Sequence, residues 1–130
     1  MDKLLDISSL ANSNIPKKRK KKPGKKSKDT APERLTQKYL RELGISFTTQ
    51  YELGGKFYDI FIPSKNLLIE VDGDYWHGKD IDFLDKSKMQ QRSFVNDRKK
   101  DGIATMNGLQ IVRIWESEIT IEKIKQIINE

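Results

Sequence analysis

The sequence predicts an α/β (α+β) domain in which a mixed central sheet is flanked by helices, in the order α-β-β-β-α-β-α. Three observations lead there. A helix-period apolar face between residues 30 and 44 precedes three short strand-like runs separated by turn residues. A long polar helical segment then leads to an apolar strand, Leu109 to Trp115. An amphipathic helix closes the chain.

Thr30-Ala31-Pro32-Glu33 opens the first helix. Thr30 is its cap, Pro32 lies in the first turn, where no N–H is needed, and Glu33 is placed to complete a capping box. Leu35, Tyr39, Leu40 and Leu43 give the helix one apolar face, and Gly44 ends it. Strands are expected near 46–53, 56–62 and 67–72, with Gly54-Gly55 turning the first pair and Pro63-Ser64-Lys65-Asn66 the second. A loop carries Gly73 to Asp85. The second helix covers about 86–106, with Met89, Val95, Ile103 and Met106 as its apolar arc and Asn107-Gly108 as its end. Residues 109–115 (LQIVRIW) read as a buried strand, and 117–129 as the closing helix, with Ile121, Ile124, Ile127 and Ile128 inward. Residues 1–16 hold only a short, weakly amphipathic piece (Leu4, Leu5, Ile7, Leu10).

Composition narrows the classes of function. The chain has 130 residues, 34% charged and 35% hydrophobic, enough for one modest core. No apolar run approaches the roughly 20 residues of a membrane helix. The basic stretch follows the weakly apolar one, the reverse of a signal peptide. There is no cysteine, so no disulfide and no thiolate zinc site is expected. An intracellular protein fits these features.

The net charge of +6 is concentrated in one place. Lys17, Lys18, Arg19, Lys20, Lys21, Lys22, Lys25, Lys26 and Lys28 make nine cations with no acidic residue between them. Taking nine from the 25 basic residues leaves 16 against 19 acidic ones, a balance of −3. Residues 1–29 therefore read as a basic arm, disordered when free, and 30–130 as the folded domain. The arm's expected partner is nucleic acid, with an anionic membrane surface or a nuclear-import receptor as the competing readings. The slightly acidic domain alone would tend to repel DNA.

The hairpin at 56–72 carries the chemistry. A four-residue loop at 63–66 pairs Ile62 with Leu67 and Ile60 with Ile69, which sets Asp59 opposite Glu70. Opposed Cβ atoms lie roughly 5 Å apart, and like charges there are destabilising. Asp72 points to the same face as Glu70. Glu70 also interrupts an apolar run, where an unpaired carboxylate is costly to bury. A divalent cation removes both objections, and hard oxygen ligands suit Mg²⁺ or Mn²⁺. The competing reading is an edge strand with a solvated acidic face, neutralised by Lys56 or Lys65. His77, the chain's one histidine, follows five residues after Asp72, close enough to serve as a general acid or base.

These residues, taken in order, resemble the very short patch repair (Vsr) endonucleases and their phage homing relatives with an E-D-x-H-D active-site pattern, within the PD-(D/E)xK nuclease group. The resemblance runs from about Thr30 to Ile119 and rests on several stretches. They are Glu33, Tyr58-Asp59-Ile60, residues 69–78 (IEVDGDYWHG), residues 96–101 (NDRKKD) and residues 112–116 (VRIWE). It implies a restriction-endonuclease-like core and an Mg²⁺-dependent DNA endonuclease. Asp59 would be the essential metal ligand, with the backbone carbonyl of Val71 sharing the metal. His77 would be the acid or base, and Glu33 and Asp97 would orient water or the histidine. Glu70 matches the acidic member of the wider motif, while Asp72 stands where that group usually has lysine. The lysine's role is thus vacant or passes to His77. Tyr75 and Trp76 match aromatics that wedge into the base stack.

Each role has a plainer alternative. Glu33 could only cap its helix. Asp97 lies off the apolar arc, and spacing alone makes it a solvated residue pairing with neighbouring bases. Tyr75 and Trp76 could pack in the core or shield the histidine. Two departures also matter: the repair enzymes' cysteine-bound zinc has no counterpart here, and the stretch between His77 and Asp97 is short. Both favour a homing-type or other phage nuclease over a mismatch-repair nickase. A silent DNA-binding module on the same fold and an RNA nuclease are the other readings. So short a chain leaves little room for a specificity domain, which points to a homodimer or to modest specificity.

Overall fold

The computed structural model describes residues 29–130. The amphipathic piece at 1–16 and the arm's nine cations at 17–28 lie outside the described residues. The elements follow the expected order: α1 (Ala31–Glu42), β1 (Thr48–Leu53), β2 (Lys56–Ile62), β3 (Leu67–Asp72), α2 (Lys88–Met106), β4 (Gln110–Trp115) and α3 (Ile121–Asn129). Short 3₁₀ turns occupy Pro63–Lys65, Phe83–Asp85 and Glu116–Glu118, the last shortening the closing helix at its start.

Local chemistry accounts for the boundaries. Thr30 Oγ1 accepts from the Glu33 N–H, and Gly44 takes φ +73 just past α1. Gly54 and Gly55 both have positive φ (58 and 80), as a tight hairpin turn requires. A Cβ on Gly54 would also come within 2.8 Å of Ile103 Cγ2, so α2 packs where only glycine fits. Ser87 and Gln90 form a reciprocal capping box at the start of α2.

The described strands form one sheet in the order β1-β2-β3-β4. β1, β2 and β3 are antiparallel neighbours, and β4 joins β3 in parallel, with α2 as the intervening crossover element. One face packs Ile60, Ile62, Leu67, Ile69 and Ile114 against Leu40 of α1 and Ile124, Ile127 and Ile128 of α3. The other is smaller: Leu53, Tyr58 and Leu68 meet Ala104, with Tyr51 stacked on Phe61 at 4.2 Å.

The second core is small because α2 turns a polar stripe inward: Gln90, Asp97, Lys100 and Ala104 are buried. The expected arc of Met89, Val95, Ile103 and Met106 is corrected here. Met89, Val95 and Met106 are exposed, and only Ile103 packs inward. α2 lies over charged groups of the sheet, so its buried side is chosen by ionic partners rather than by apolarity. The solvated-edge reading of β3 also fails, because β3 is central and Glu70 is buried.

Candidate active site

The β2–β3 ladder pairs Ile62 with Leu67, Phe61 with Leu68 and Ile60 with Ile69, the register expected from the four-residue loop. At the next step side chains replace backbone groups. The Asp59 N–H donates to Glu70 Oε2, and the Val71 N–H donates to Asp59 Oδ2, each at 2.8 Å. On the other side, β1 pairs Thr49 with Ile60 and Tyr51 with Tyr58 but passes over Gln50 and Asp59, and Gln50 takes φ +49. The strand changes face there: Tyr58 packs on the α2 side and Ile60 on the α1/α3 side, although strict alternation puts them together. Two carboxylates thus hold open the end of a ladder whose backbone donors they satisfy.

That arrangement concentrates negative charge. Although Asp59 as a residue is partly accessible, desolvation of its carboxyl and then the charges of Glu70 and Glu33 push it up to about 8, against the opposing Val71 N–H and Lys100. Glu33 is buried on α1, and its Oε1 accepts from the Asp29 N–H at 2.7 Å. It therefore helps cap the helix and also faces Asp59. Lys100 Nζ sits 2.6 Å from Glu70 Oε1 and 4.7 Å from the centre of the Tyr58 ring, while the Tyr58 hydroxyl donates to the Lys100 carbonyl. The neutralising lysine comes from α2. Lys56, one of the two expected from sequence, bonds Asn96 instead.

Asp72, His77 and Asp97 form a second group, whose ligand atoms lie within 4.8 Å of one another. His77 Nδ1 is 2.7 Å from Asp97 Oδ2, and its Nε2 is 3.8 Å from Asp72 Oδ1. Burial lowers the imidazole's pKa, but the Asp97 hydrogen bond and the Asp72 and Asp97 charges outweigh it, so the net shift is upward. Burial pushes Asp72 up to about 6, against the charges of His77 and Arg113. Asp97 is buried, which corrects its reading from spacing as a solvated residue.

Arg113 of β4 ties the two groups together. Its Nη1 lies 3.4 Å from Asp72 Oδ1, 3.3 Å from Asp97 Oδ1 and 3.9 Å from Glu70 Oε1. Its Nη2 donates to Asp101 Oδ1 at 2.8 Å and to the Asp97 carbonyl at 3.1 Å. The four expected metal-site residues therefore divide: Asp59, Glu70 and Val71 share hydrogen bonds directly, whereas Asp72 sits with the histidine and arginine.

The loop carrying His77 is pinned at several points. The His77 N–H donates to the Gly73 carbonyl, Gln90 Nε2 to the Tyr75 carbonyl and the Asp74 N–H to Glu116 Oε1. Tyr75 and Trp76 pack edge to face at 5.1 Å and are 66% and 54% exposed, so neither is core. Sequence reasoning missed Lys100, Asp101 and Arg113 as parts of the site. A charged residue inside an apolar strand, Arg113 in LQIVRIW, was the one available signal.

The family described as DNA mismatch endonuclease Vsr matches residues 13–83 of this sequence, a span that takes in Glu33, Asp59, Glu70, Val71, Asp72 and His77. The chain belongs to the Vsr family. Among its relatives, the type II nicking enzyme V.HpaIIP of Haemophilus parainfluenzae is 30% identical over 115 residues, covering 80% of this chain and 82% of that protein. The type II nicking enzyme V.XorIIP of Xanthomonas oryzae pv. oryzae is 26% identical over 103 residues, 73% of this chain and 76% of its own. The catalytic domain of homing endonuclease I-Bth0305I superposes with a TM-score of 0.56 at 27% identity, covering 78% of this chain and 92% of that domain. This Vsr-family chain is accordingly a DNA endonuclease on a mixed-sheet fold shared with a homing enzyme. Asp97, Lys100 and Arg113 lie C-terminal to the family match, and the fold brings them onto it. No helix among the described residues is long and apolar enough to cross a membrane.

Proposed function

We propose that this endonuclease hydrolyses the DNA phosphodiester bond with a divalent cation, Mg²⁺ or Mn²⁺, held at Asp59. The observation that carries the reading is the exchange of bonds between Asp59, Glu70 and Val71 beside the His77–Asp97 pair. The donor set fits a hard cation: Asp59 Oδ2 is taken by the Val71 N–H, which leaves Oδ1, and the burial and the Glu70 and Glu33 charges that raise the carboxyl's pKa are what a bound cation would offset. The Asp72–His77–Asp97 group fits less well, because Arg113 already faces both its carboxylates. The Val71 carbonyl would share the cation. Glu70, expected as a further ligand, already holds Lys100 on Oε1 and the Asp59 N–H on Oε2 and would have to release one of them to join, and Asp72 stands at the border between the two groups. When bound, the cation would lower the pKa of water and stabilise charge on the phosphate.

The protein's own groups supply the rest. With Nδ1–H donated to Asp97, His77 presents Nε2 as the atom that accepts a proton from the attacking water or passes one to the leaving oxygen. Asp97 fixes the ring and, with Asp72, stabilises the imidazolium. Arg113 keeps both carboxylates in place. Glu33 orients water beside Asp59. Tyr75 and Trp76, exposed next to the histidine, suit stacking on bases. Residues 30–130 form the nuclease domain, and the arm at 1–29 tethers DNA through its nine cations. One such site per chain cuts one strand per encounter, in keeping with the nicking relatives, and a double-strand cut needs a second copy.

The test is Asp59→Asn on supercoiled plasmid with Mg²⁺ or EDTA. Wild type should give nicked circles only with the metal. The variant should give none, while its DNA affinity is kept or increased by the lost negative charge. Wild-type rates from Asp59→Asn would end this assignment.

A further inference from the structure

A groove of about 470 Å³ runs along the outer face of α2, lined by Phe83, Lys88, Gln91, Arg92, Val95, Asn96 and Lys99. Three of the lining residues are cations and none is acidic. Phe83 and Val95 supply an apolar floor, and both are exposed. The acidic residues of α2, Asp97 and Asp101, are turned away toward Arg113. Both acids of α2 thus lie on the active-site side, where Arg98 pairs with Asp101 and Lys100 with Glu70, while Lys88, Arg92 and Lys99 line the outer groove with no acid among its lining residues. Lys56 joins the basic side through its 2.7 Å bond to Asn96. Burial, and then the charges of Lys99 and Lys100, depress its ammonium's pKa, which places Lys56 within reach of the helix's cations.

We propose that this groove binds the sugar-phosphate backbone of duplex DNA beside the scissile phosphate. The proposal rests on the nuclease reading above and supplies a backbone contact that the net acidity of the folded part argued against. Position supports it: Asn96 lines the groove and its neighbour Asp97 lines the catalytic cleft across the helix. Reach supports it too. At roughly 1.5 Å per residue, Lys88 to Lys99 spans about 16 Å. A strand presents one phosphate per roughly 3.4 Å of axis, so the three cations face a run of about five. The apolar floor suits the deoxyribose edge between phosphates.

The experiment compares three full-length proteins: wild type, Lys88→Gln/Arg92→Gln/Lys99→Gln, and a control, Lys38→Gln/Lys65→Gln/Lys125→Gln, that removes equal charge from exposed residues of other elements. Binding to a labelled duplex is titrated against salt in EDTA, and cleavage is measured with Mg²⁺. Each lost contact flattens the slope of log affinity against log salt by roughly 0.9, so the groove variant should lose about 2.7 and the control less than one contact's worth. The groove variant should raise KM and leave kcat near wild type. Equal slopes in the groove variant and the control overturn the groove while metal-dependent cleavage by wild type leaves the nuclease reading intact. A wild type that cuts with no divalent cation overturns the metal reading at Asp59 and leaves the groove to the salt slopes.

Discussion

Replacing Lys100 with methionine removes the cation 2.6 Å from Glu70 Oε1 and leaves that carboxylate facing Arg113 Nη1 at 3.9 Å. Lys100 and Glu70 are only 8% and 5% exposed, so water cannot take the lysine's place. Stranding one member of a buried pair costs roughly 3–5 kcal/mol. The contact of Nζ with the Tyr58 ring is lost as well, but a methionine sulfur regains roughly 0.3–1.5 kcal/mol against an aromatic ring. In a domain of this size each kcal/mol moves Tm by about 4–8 °C, so even after the sulfur's gain the variant should melt at least ~6 °C lower in EDTA. Total stability is roughly 5–15 kcal/mol, so it should still fold. A divalent cation at Asp59 would supply the missing charge, and Mn²⁺ should raise the variant's Tm more than wild type's. Adding Glu70→Gln removes the stranded charge and should restore most of the loss, which thermal melts of the four proteins with and without metal read as a double-mutant cycle. A Lys100→Met protein that melts within a few degrees of wild type in EDTA, or gains no more from metal, refutes the reasoning.

Four further outcomes are expected. His77→Ala should slow turnover by roughly 10² to 10⁴ with binding little changed. The acid limb of kcat/KM should lie above His77's ordinary pKa, and Asp97→Asn should move it to lower pH by removing the bond that raises it; an unmoved limb removes Asp97 from this role. With Asp59 near 8 against an ordinary 3.8, the metal-free fold holds a proton that the unfolded chain releases between those values. Its Tm should therefore fall as pH rises through that window, and the gain in Tm from Mg²⁺ should grow with pH and level off above about 8; a flat profile in EDTA contradicts the assigned charge cluster. Deleting residues 1–28 should keep metal-dependent cutting at the same positions at low salt but flatten the salt slope of binding, and an unchanged slope takes the arm off the DNA.

Much of the fold was legible because its signals are local. Thr30, Gly44, the Gly54-Gly55 turn and Asn107-Gly108 mark boundaries through backbone chemistry that needs no distant partner. The hairpin register followed from loop length, and with it the meeting of Asp59 and Glu70. His77 stood out as a lone histidine near a carboxylate cluster, and the ordered pattern from Glu33 to Trp115 pointed to the family that the Vsr match then supplied.

The α2 side of the site was not legible, for a physical reason. Periodicity identifies a buried helix face when burial follows apolarity, but α2 buries Gln90, Asp97 and Lys100 because their partners wait on β3, on β4 and in the 73–78 loop. Lys100 and Glu70 are 30 residues apart, and Arg113 and Asp72 are 41 apart. No local pattern encodes such pairings, which appear only when the parallel β3–β4 pair and the α2 crossover bring the segments together. By itself the sequence determined the order of elements, the hairpin carboxylates and the candidate acid-base histidine. Only the tertiary structure decided which cation neutralises which carboxylate, because buried charge is balanced through space and not along the chain.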